Sequence, residues 1–240
     1  MSRIALGFHL TKKRRHVVTT GLILFIILIA ISGIIFYTSN DASLLVTSLA
    51  LSLFRLVVAY LISLIVATLV AVFVSNSKVG DFLIPVFDLM QNLPSFALIP
   101  LFVYWLGYTN WMTIVFAATS ILWPILFYMM HALKTVKKDL EDAVKIFGAV
   151  GWKKIIYFSL PVAFPSAVTG SIVGFSIGWE AIIGVEIIGL SRGIGPFLNS
   201  TAVGNNNLIL GISALLVVVF LINRLVWMPL LKKSELYAEQ

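Results

Sequence analysis

Long apolar runs separated by short polar segments restrict the fold of this chain more than any other feature. Six runs of about 20 to 30 mostly apolar residues can be traced, at approximately 17–38, 44–74, 82–106, 111–133, 162–188 and 208–231. A helix of roughly 20 apolar residues crosses the hydrocarbon core of a bilayer. Because a backbone in lipid must satisfy its hydrogen bonds internally, runs of this length form helices there. The sequence therefore predicts an all-α membrane protein with six transmembrane helices.

The composition agrees with a membrane protein and argues against several other classes. Hydrophobic residues make up 60% of the chain and charged residues only 11%, against roughly a quarter in a soluble domain. The absence of cysteine excludes disulfides, thiol catalysis and thiolate metal sites. Three scattered histidines (His9, His16 and His131) do not suggest a metal site either. The net charge of +7 lies mainly between the apolar runs, so topology explains it and no nucleic-acid partner is expected.

The positions of Lys and Arg predict the orientation of the six helices. With a cytoplasmic N-terminus, all 17 of these residues except Arg55 and Arg192 lie in or beside cytoplasmic segments, as the positive-inside rule requires. The expected organisation is a basic cytoplasmic N-terminus (1–16), a six-helix transmembrane domain (17–231) and a cytoplasmic tail (232–240). The first run is longer than the apolar part of a signal peptide, so we expect it to be retained as a helix.

The longest polar interruption, residues 134–161, contains a pattern typical of a short amphipathic helix. It holds six of the 17 Lys and Arg residues. Leu140, Ala143, Val144 and Phe147 recur at the spacing of one apolar helix face. Acidic residues occupy the predicted first turn, where the helix dipole favours them, and Gly148 follows as a C-terminal stop. Such a helix either lies flat on the lipid surface or fits a groove on a soluble partner.

The sequence of this segment resembles the cytoplasmic loop signature of ABC-importer permeases. That signature reads Glu-Ala-Ala, three residues, Gly, nine residues, Ile, one residue, Leu-Pro. The matching residues here are Asp142, Ala143, Val144, Gly148, Phe158, Leu160 and Pro161. Asp, Val and Phe depart from the signature but preserve charge sign or apolarity. In that family the loop, including Phe147 here, forms a coupling helix that docks in a cleft of the ATP-hydrolysing subunit.

Three further stretches resemble the nitrate, sulfonate, taurine and thiamine-precursor branch of these permeases. They are SLFRLVVAYLISLIVA at 52–67, QNLPSFALIPLFVYWLG at 91–107, and GWEAIIGVEIIG at 178–189 followed by GIG at 193–195. The resemblance implies the architecture of a type I ABC importer permease in the cell (inner or plasma) membrane. It also implies transport of a small solute such as nitrate, a sulfonate or taurine, bicarbonate, or a thiamine precursor.

The resemblance also implies partners, because the chain carries no phosphate-binding loop of its own. The motif G-x-x-x-x-G-K-[ST] is absent, and the dipeptide Gly-Lys does not occur. ATP and Mg²⁺ would therefore be bound by separate ABC ATPase subunits, and no cofactor is expected on this chain. A second permease copy or a sister permease, together with an external substrate-binding protein, would complete the importer. The chain itself is expected to be a transporter subunit and not an enzyme.

Five residues within the apolar runs are candidates for the translocation pathway or its gate: Arg55, Pro94, Pro100, Glu180 and Glu186. An ionised side chain inside a membrane is costly unless it has a partner or water, and prolines in broken helices often border a pathway. A structural alternative is equally open. Arg55 could pair with one glutamate only to hold helices together, Glu186 could already lie at the outer interface, and kinked spans are common.

Three glycines in the fifth run, Gly170, Gly174 and Gly178, recur at every fourth position and share one helix face. Glycine allows another helix to approach closely in lipid. The contact could be a moving or dimer-forming interface, or ordinary packing within one subunit.

Two other functional classes, a secondary carrier and an intramembrane enzyme, fit the sequence less well. A proton- or ion-coupled secondary carrier could use Glu180 and Glu186, but such carriers often contain inverted repeats, and none is visible. An intramembrane enzyme would need paired Asp, Ser with Lys, or clustered His inside the runs, and the sequence shows no such group.

Overall fold

The computed structural model describes residues 42–75, 80–136, 138–200 and 205–238. The α-helices within these ranges are α1 Ala42–Ser75, α2 Gly80–Gln91, α3 Ile99–Leu106, α4 Asn110–Lys134, α5 Lys138–Ile146, α6 Trp152–Lys154, α7 Leu160–Gly189, α8 Ile194–Ser200, α9 Asn205–Ile222 and α10 Met228–Ala238. The predicted first span, 17–38, lies outside the described residues. The described part of the chain is all-helical, as the apolar runs predicted.

Four helical segments in the described ranges are long and apolar enough to cross a membrane. They are Ala42–Ser75, Asn110–Lys134, Trp152–Gly189 and Leu208–Ser234. A bent pair of helices, Phe82–Gln91 with Ser95–Leu106, raises the number to five if the pair forms one span. These five match the second to sixth predicted runs in position.

Helix α4 lies at the centre of the bundle and packs against both α7 and α1. Polar side chains link these helices, because lipid provides no hydrophobic driving force for helix association. Ser63 on α1 donates to the carbonyl oxygen of Ala118 on α4 at 2.7 Å, and the hydroxyls of Tyr60 and Ser171 join α1 to α7 at 3.1 Å. The three helices therefore form the frame on which the other segments rest.

The third run forms two helices with a break between them. It bends by 87° between Phe82–Gln91 and Ser95–Leu106. Pro94 lies at this break, in extended conformation before a 3₁₀ turn at Ser95–Leu98. Pro100 sits in the first turn of α3, where its missing N–H removes no hydrogen bond. Of the two prolines named as candidates, only Pro94 interrupts the helix.

Two wide helical turns each precede a proline by two residues. A π turn at Ile155–Ser159 leads to Pro161, and another at Asn223–Trp227 leads to Pro229. Proline has no N–H to donate, and its ring crowds the carbonyl four residues earlier. The backbone relieves this by widening the turn before it, so the helical path continues from the 152–154 segment into α7 without a sharp kink.

Candidate functional site

Arg55 and Glu186 form a buried ion pair between α1 and the end of α7. Arg55 Nη1 lies 2.5 Å from Glu186 Oε1, and their side chains are 3% and 0% exposed. The same nitrogen donates to the carbonyl oxygen of Arg192 at 2.9 Å. Nε and Nη2 of Arg55 donate to Asn110 Oδ1 at 3.0 and 2.6 Å. One guanidinium thus connects α1, α4, α7 and the loop that follows α7.

The carboxylate of Glu186 is satisfied on its other side by the start of α8. Ser52 Oγ donates to this carboxylate and accepts the backbone N–H of Ile194 at 2.9 Å. The N–H of Gly195 donates to Glu186 Oε2 at 2.9 Å. At Gly193 (φ +139°) an added Cβ would lie 2.5 Å from the Glu186 carboxyl carbon. The site is therefore closed around the carboxylate and leaves no room for a solute between the pair.

A polar cleft of about 420 Å³ lies beside this cluster. Its lining includes Arg55, Thr109, Asn110, Ser191 and Arg192. Thr109 also caps α4, because its hydroxyl accepts the N–H of Met112 at 3.1 Å. The cap places Asn110 at the first position of α4, opposite Arg55. The cleft and the buried pair are thus parts of one polar region at the same end of the bundle.

The three glycines of α7 face α4, within the same subunit. An added Cβ at Gly170 would lie 2.9 Å from Ile125 Cα, and one at Gly174 would lie 2.9 Å from the Ile121 carbonyl oxygen. At Gly178 it would meet the Cδ1 atoms of Ile121 and Leu56, each at 2.6 Å. In this structure these positions allow α4 and α7 to approach closely.

Glu180 differs from Glu186 in every respect except chemistry. It is exposed, and it makes no hydrogen bond or ion pair with the residues that the structure describes. It lies on a stripe of α7 whose other exposed members are Val173, Ser176, Ile177, Ile187 and Ile188. We call this set, with Glu180 at its centre, the α7 stripe.

The bend in the third run exposes a small polar group that sequence reasoning overlooked. Gln91 Nε2 donates to Asp88 Oδ1 at 2.6 Å, and Asn92 Nδ2 donates to the Asp88 carbonyl oxygen at 2.6 Å. Both amides bind the last turn of α2 just before Pro94, where the helix loses its own hydrogen bonds. The signal available in the sequence was a cluster of Asp, Gln and Asn within an apolar run.

Beyond the bend lies an aromatic cleft of about 510 Å³. It is lined by Phe96, Ile99, Pro100, Val103, Tyr104, Tyr108 and Ile188. Pro100 therefore borders a cleft although it does not break a helix. We call this feature the aromatic cleft.

The loop between α4 and α7 contains the predicted short helix. Helix α5 ends at Ile146, and Gly148 follows with φ +76° and donates to the Lys145 carbonyl oxygen at 2.9 Å. Asp142 and Lys145 form an exposed pair at 2.8 Å. The predicted apolar face is open, since Leu140 is exposed and Phe147 is 88% exposed, while Ala143 and Val144 are half-buried.

The apolar surface continues past the helix. Further exposed side chains belong to Ile146, Val150, Trp152, Ile156 and Tyr157. Leu160 and Pro161 then begin α7, with Pro161 in its first turn. We call the surface formed by these exposed side chains, Leu140 and Phe147 the loop surface. No cluster of three or more metal-ligating side chains occurs in the described ranges.

Sequence reasoning named both members of the ion pair but missed the groups that hold them. Ser52 and Asn110 are ordinary polar residues, and the N–H groups of Ile194 and Gly195 carry no side-chain signal. The contacts of Ser52, Asn110 and Ile194 cross more than 50 residues of sequence, which no local pattern reports, whereas Gly195 lies nine residues from Glu186. Which glutamate pairs with Arg55 likewise required the tertiary structure.

Comparison with known proteins decides the family. The family described as "Binding-protein-dependent transport system inner membrane component" matches residues 59–228, from the middle of α1 to the start of α10. The chain belongs to this family. The resemblance to ABC-importer permeases is confirmed, and with several apolar helices the chain is a multi-pass membrane protein.

Curated relatives are similar to this chain over much of its length. The taurine transport system permease protein TauC of Escherichia coli (strain K12) is 26% identical over 72% of this chain and 64% of its own length. The formylaminopyrimidine transport permease protein ThiX of Halalkalibacterium halodurans is 27% identical over 70% and 64%. The nitrate import permease protein NrtB of Synechocystis sp. (strain PCC 6803) is 24% identical over 61% and 54%. The chain thus spans less than two thirds of the length of these relatives.

Proposed function

We propose that this chain is the membrane-spanning permease subunit of an ATP-driven ABC importer for a small solute. It would act with a second copy or a sister permease, with ABC ATPase subunits that bind ATP and Mg²⁺, and with an external substrate-binding protein. The family and the permeases among the relatives support a permease role. The observation that carries the ATPase partnership is the loop surface.

The loop surface is an apolar patch on a loop whose charged residues must lie in water. Exposed fractions of 88% for Phe147, 84% for Ile146 and 72% for Trp152 leave these side chains without cover in the single chain. Contiguous apolar surface of this kind marks an interaction site. A helix that presents spaced apolar anchors fits a groove on a folded partner, as the coupling helix of the family does.

The path from the loop surface to the buried pair is mechanically direct. Gly148 and Gly151, both at positive φ, separate α5 from the segment that leads into α7. Helix α7 then runs for 30 residues to Gly189, roughly 45 Å at the usual rise per residue. It carries the α7 stripe midway and Glu186 near its far end. A displacement of α5 by the ATPase would therefore reach the far end of the bundle through one helix.

We assign different tasks to the intramembrane candidates. Glu180 and Pro100 would border the pathway, since the α7 stripe and the aromatic cleft are open in the single chain. Pro94 would border it at the bend that precedes the cleft. Arg55 and Glu186 would hold the outer gate, because they are buried and tie α1, α4 and α7 to the start of α8. In this scheme residues 17–38 form one more transmembrane helix, which brings the total to six, and both termini are cytoplasmic.

Phe147→Ala is the variant that tests the ATPase partnership. We expect the tagged wild-type chain, purified in mild detergent from its native membrane, to bring a stoichiometric ATPase with it. The amount of ATPase that co-purifies with the variant should fall at least tenfold, since a buried aromatic anchor contributes about 2 kcal/mol or more to an interface.

The matched control is Phe54→Ala, which removes the same side chain from an exposed position on α1. It should retain the ATPase. Equal co-purification in both variants would contradict a docking role for the loop surface and favour a helix that lies on lipid. A chain that purifies alone and moves solute under a proton gradient without ATP would support the secondary-carrier alternative.

A further inference from the structure

The α7 stripe carries a charge whose sign bears on the substrate. Glu180 lies at its centre and is exposed, without a hydrogen bond or ion pair to any described residue. A carboxylate facing hydrocarbon is unfavourable by about 2.5–3.5 kcal/mol on insertion scales, and less for a group that faces water. The stripe is therefore better suited to line a polar space than to contact lipid.

The α7 stripe leads directly to the aromatic cleft. Gly184 follows Glu180 by one helical turn, and the ring of Phe96 packs against it where a Cβ would otherwise stand. Ile188, one turn further, lines the cleft together with Tyr104 and Tyr108. These residues recur every four positions along one face of α7, over roughly 12 Å. A carboxylate and an open aromatic surface thus lie along one continuous line.

The aromatic side chains of this cleft are accessible. Phe96 is 42% exposed, Tyr104 84% and Tyr108 52%. The ring of Phe96 packs against Phe116 at a centroid distance of 6.2 Å and still leaves part of its surface open. Ring faces of this kind bind planar rings by stacking and attract cations through their quadrupole.

Basic side chains lie elsewhere in the described part of the bundle. The aromatic cleft has none among its lining residues. Arg55 is neutralised by Glu186, and Arg192 lines the polar cleft beside the ion pair. An inorganic anion on the α7 stripe would meet a negative charge with no compensating donor from these residues.

We propose that the solute moved by this permease bears N–H groups or a positively charged nitrogen on a planar ring, and is not a simple oxyanion. Its nitrogen would face Glu180 and its ring would stack in the aromatic cleft. This assignment rests on the proposed function and narrows it. Of two substrates after which relatives are named, formylaminopyrimidine has this chemistry and nitrate does not.

The absence of cysteine from the chain permits a direct test. Ile177→Cys places one thiol three residues from Glu180 on the same stripe. The complete permease–ATPase complex, in lipid nanodiscs, is treated with a trimethylammonium and a sulfonate methanethiosulfonate of similar size. Each rate is divided by the rate of the same reagent with a small free thiol, which removes intrinsic differences in reactivity.

We expect the cationic reagent to react roughly tenfold faster than the anionic one after this correction, as one nearby charge permits. Adding Glu180→Gln should bring the two corrected rates within about twofold, and Glu180→Asp should retain most of the preference. Formylaminopyrimidine should slow labelling of the Ile177→Cys complex, whereas nitrate should leave the rate unchanged.

The proposal would be overturned if both reagents reacted at equal corrected rates, or if the anionic reagent reacted faster. It would also be overturned if neither reagent labelled the thiol, because the stripe would then face lipid or protein. Protection by nitrate, or by neither solute, would overturn the assigned substrate class. Failure of the proposed function is seen separately and earlier, as a wild-type permease that purifies without an ATPase.

Discussion

At the scale of single residues, burial separates two glutamates that the sequence presents alike. Glu186 is fully buried and receives donors from Arg55, Ser52 and Gly195, so its charge is compensated on every side. Glu180, less than two turns away, is exposed and has no such partner among the described residues. The first is suited to hold segments together, and the second to meet a solute.

Glu186→Gln should destabilise the protein by about 3–5 kcal/mol, because it leaves the buried Arg55 guanidinium without a counter-charge. Thermal unfolding of the purified chain in detergent measures the loss. The double variant Arg55→Leu with Glu186→Leu should lose less unfolding free energy, since it leaves no uncompensated charge in the interior.

Glu180→Gln is the matched control for this measurement. It makes the same chemical change at an exposed position without an ion pair, so the unfolding free energy should stay within about 0.5 kcal/mol of the wild type. Equal losses in Glu186→Gln and Glu180→Gln would contradict the holding role of the buried pair.

At the scale of elements, α7 combines three tasks along its length. Its glycine face packs on α4, its stripe with Glu180 is open, and its last turns hold the buried ion pair. Helix α5 and the loop surface are connected to its first turn through the π turn before Pro161. A single rigid element therefore links the proposed ATPase contact to the proposed gate.

Gly174→Ala and Gly178→Ala should differ in cost although both lie on the glycine face. At Gly174 the new methyl group would meet a backbone carbonyl oxygen of α4, which cannot move without the helix. At Gly178 the three nearest atoms would be side-chain atoms of Ile121 and Leu56, and side chains yield more readily than a helix backbone. We expect Gly174→Ala to lower the unfolding free energy by about 1–3 kcal/mol, and Gly178→Ala by less.

Thermal unfolding of both variants alongside the wild type checks this order. A Gly178→Ala variant that is less stable than Gly174→Ala would contradict the packing of α7 on α4 described above.

At the scale of the whole molecule, charge and burial divide the bundle into two ends. The loop surface with its Lys residues forms one end, and the ion pair with its polar cleft forms the other. The positive-inside rule assigns the first to the cytoplasm. The α7 stripe and the aromatic cleft lie between the two.

Two single-cysteine variants of this cysteine-free chain test the orientation. We expect Ser191→Cys to react with a membrane-impermeant maleimide in intact spheroplasts. Lys153→Cys should react only after the membrane is permeabilised. Both positions are exposed, so accessibility to the reagent depends on the side of the membrane. The reverse pattern would contradict the proposed topology.

The sequence alone determined the features that depend on local composition and spacing. The helices α1, α4 and α7 begin and end within two residues of the apolar runs at 44–74, 111–133 and 162–188, because lipid demands a helix wherever such a run occurs. The stop after α5 at Gly148 follows from a backbone conformation at φ +76° that glycine adopts readily. The family was also readable from spaced residues of the loop.

Only the tertiary structure decided which residues meet across the bundle. The choice of Glu186 over Glu180 as the partner of Arg55, the contact of the α7 glycines with α4, and the 87° bend before Ser95 each depend on distant segments. In an apolar run every face of a helix looks alike, since no polar side marks the surface. Burial in this bundle is therefore set by shape and by a few polar contacts, and these are fixed only when the helices pack.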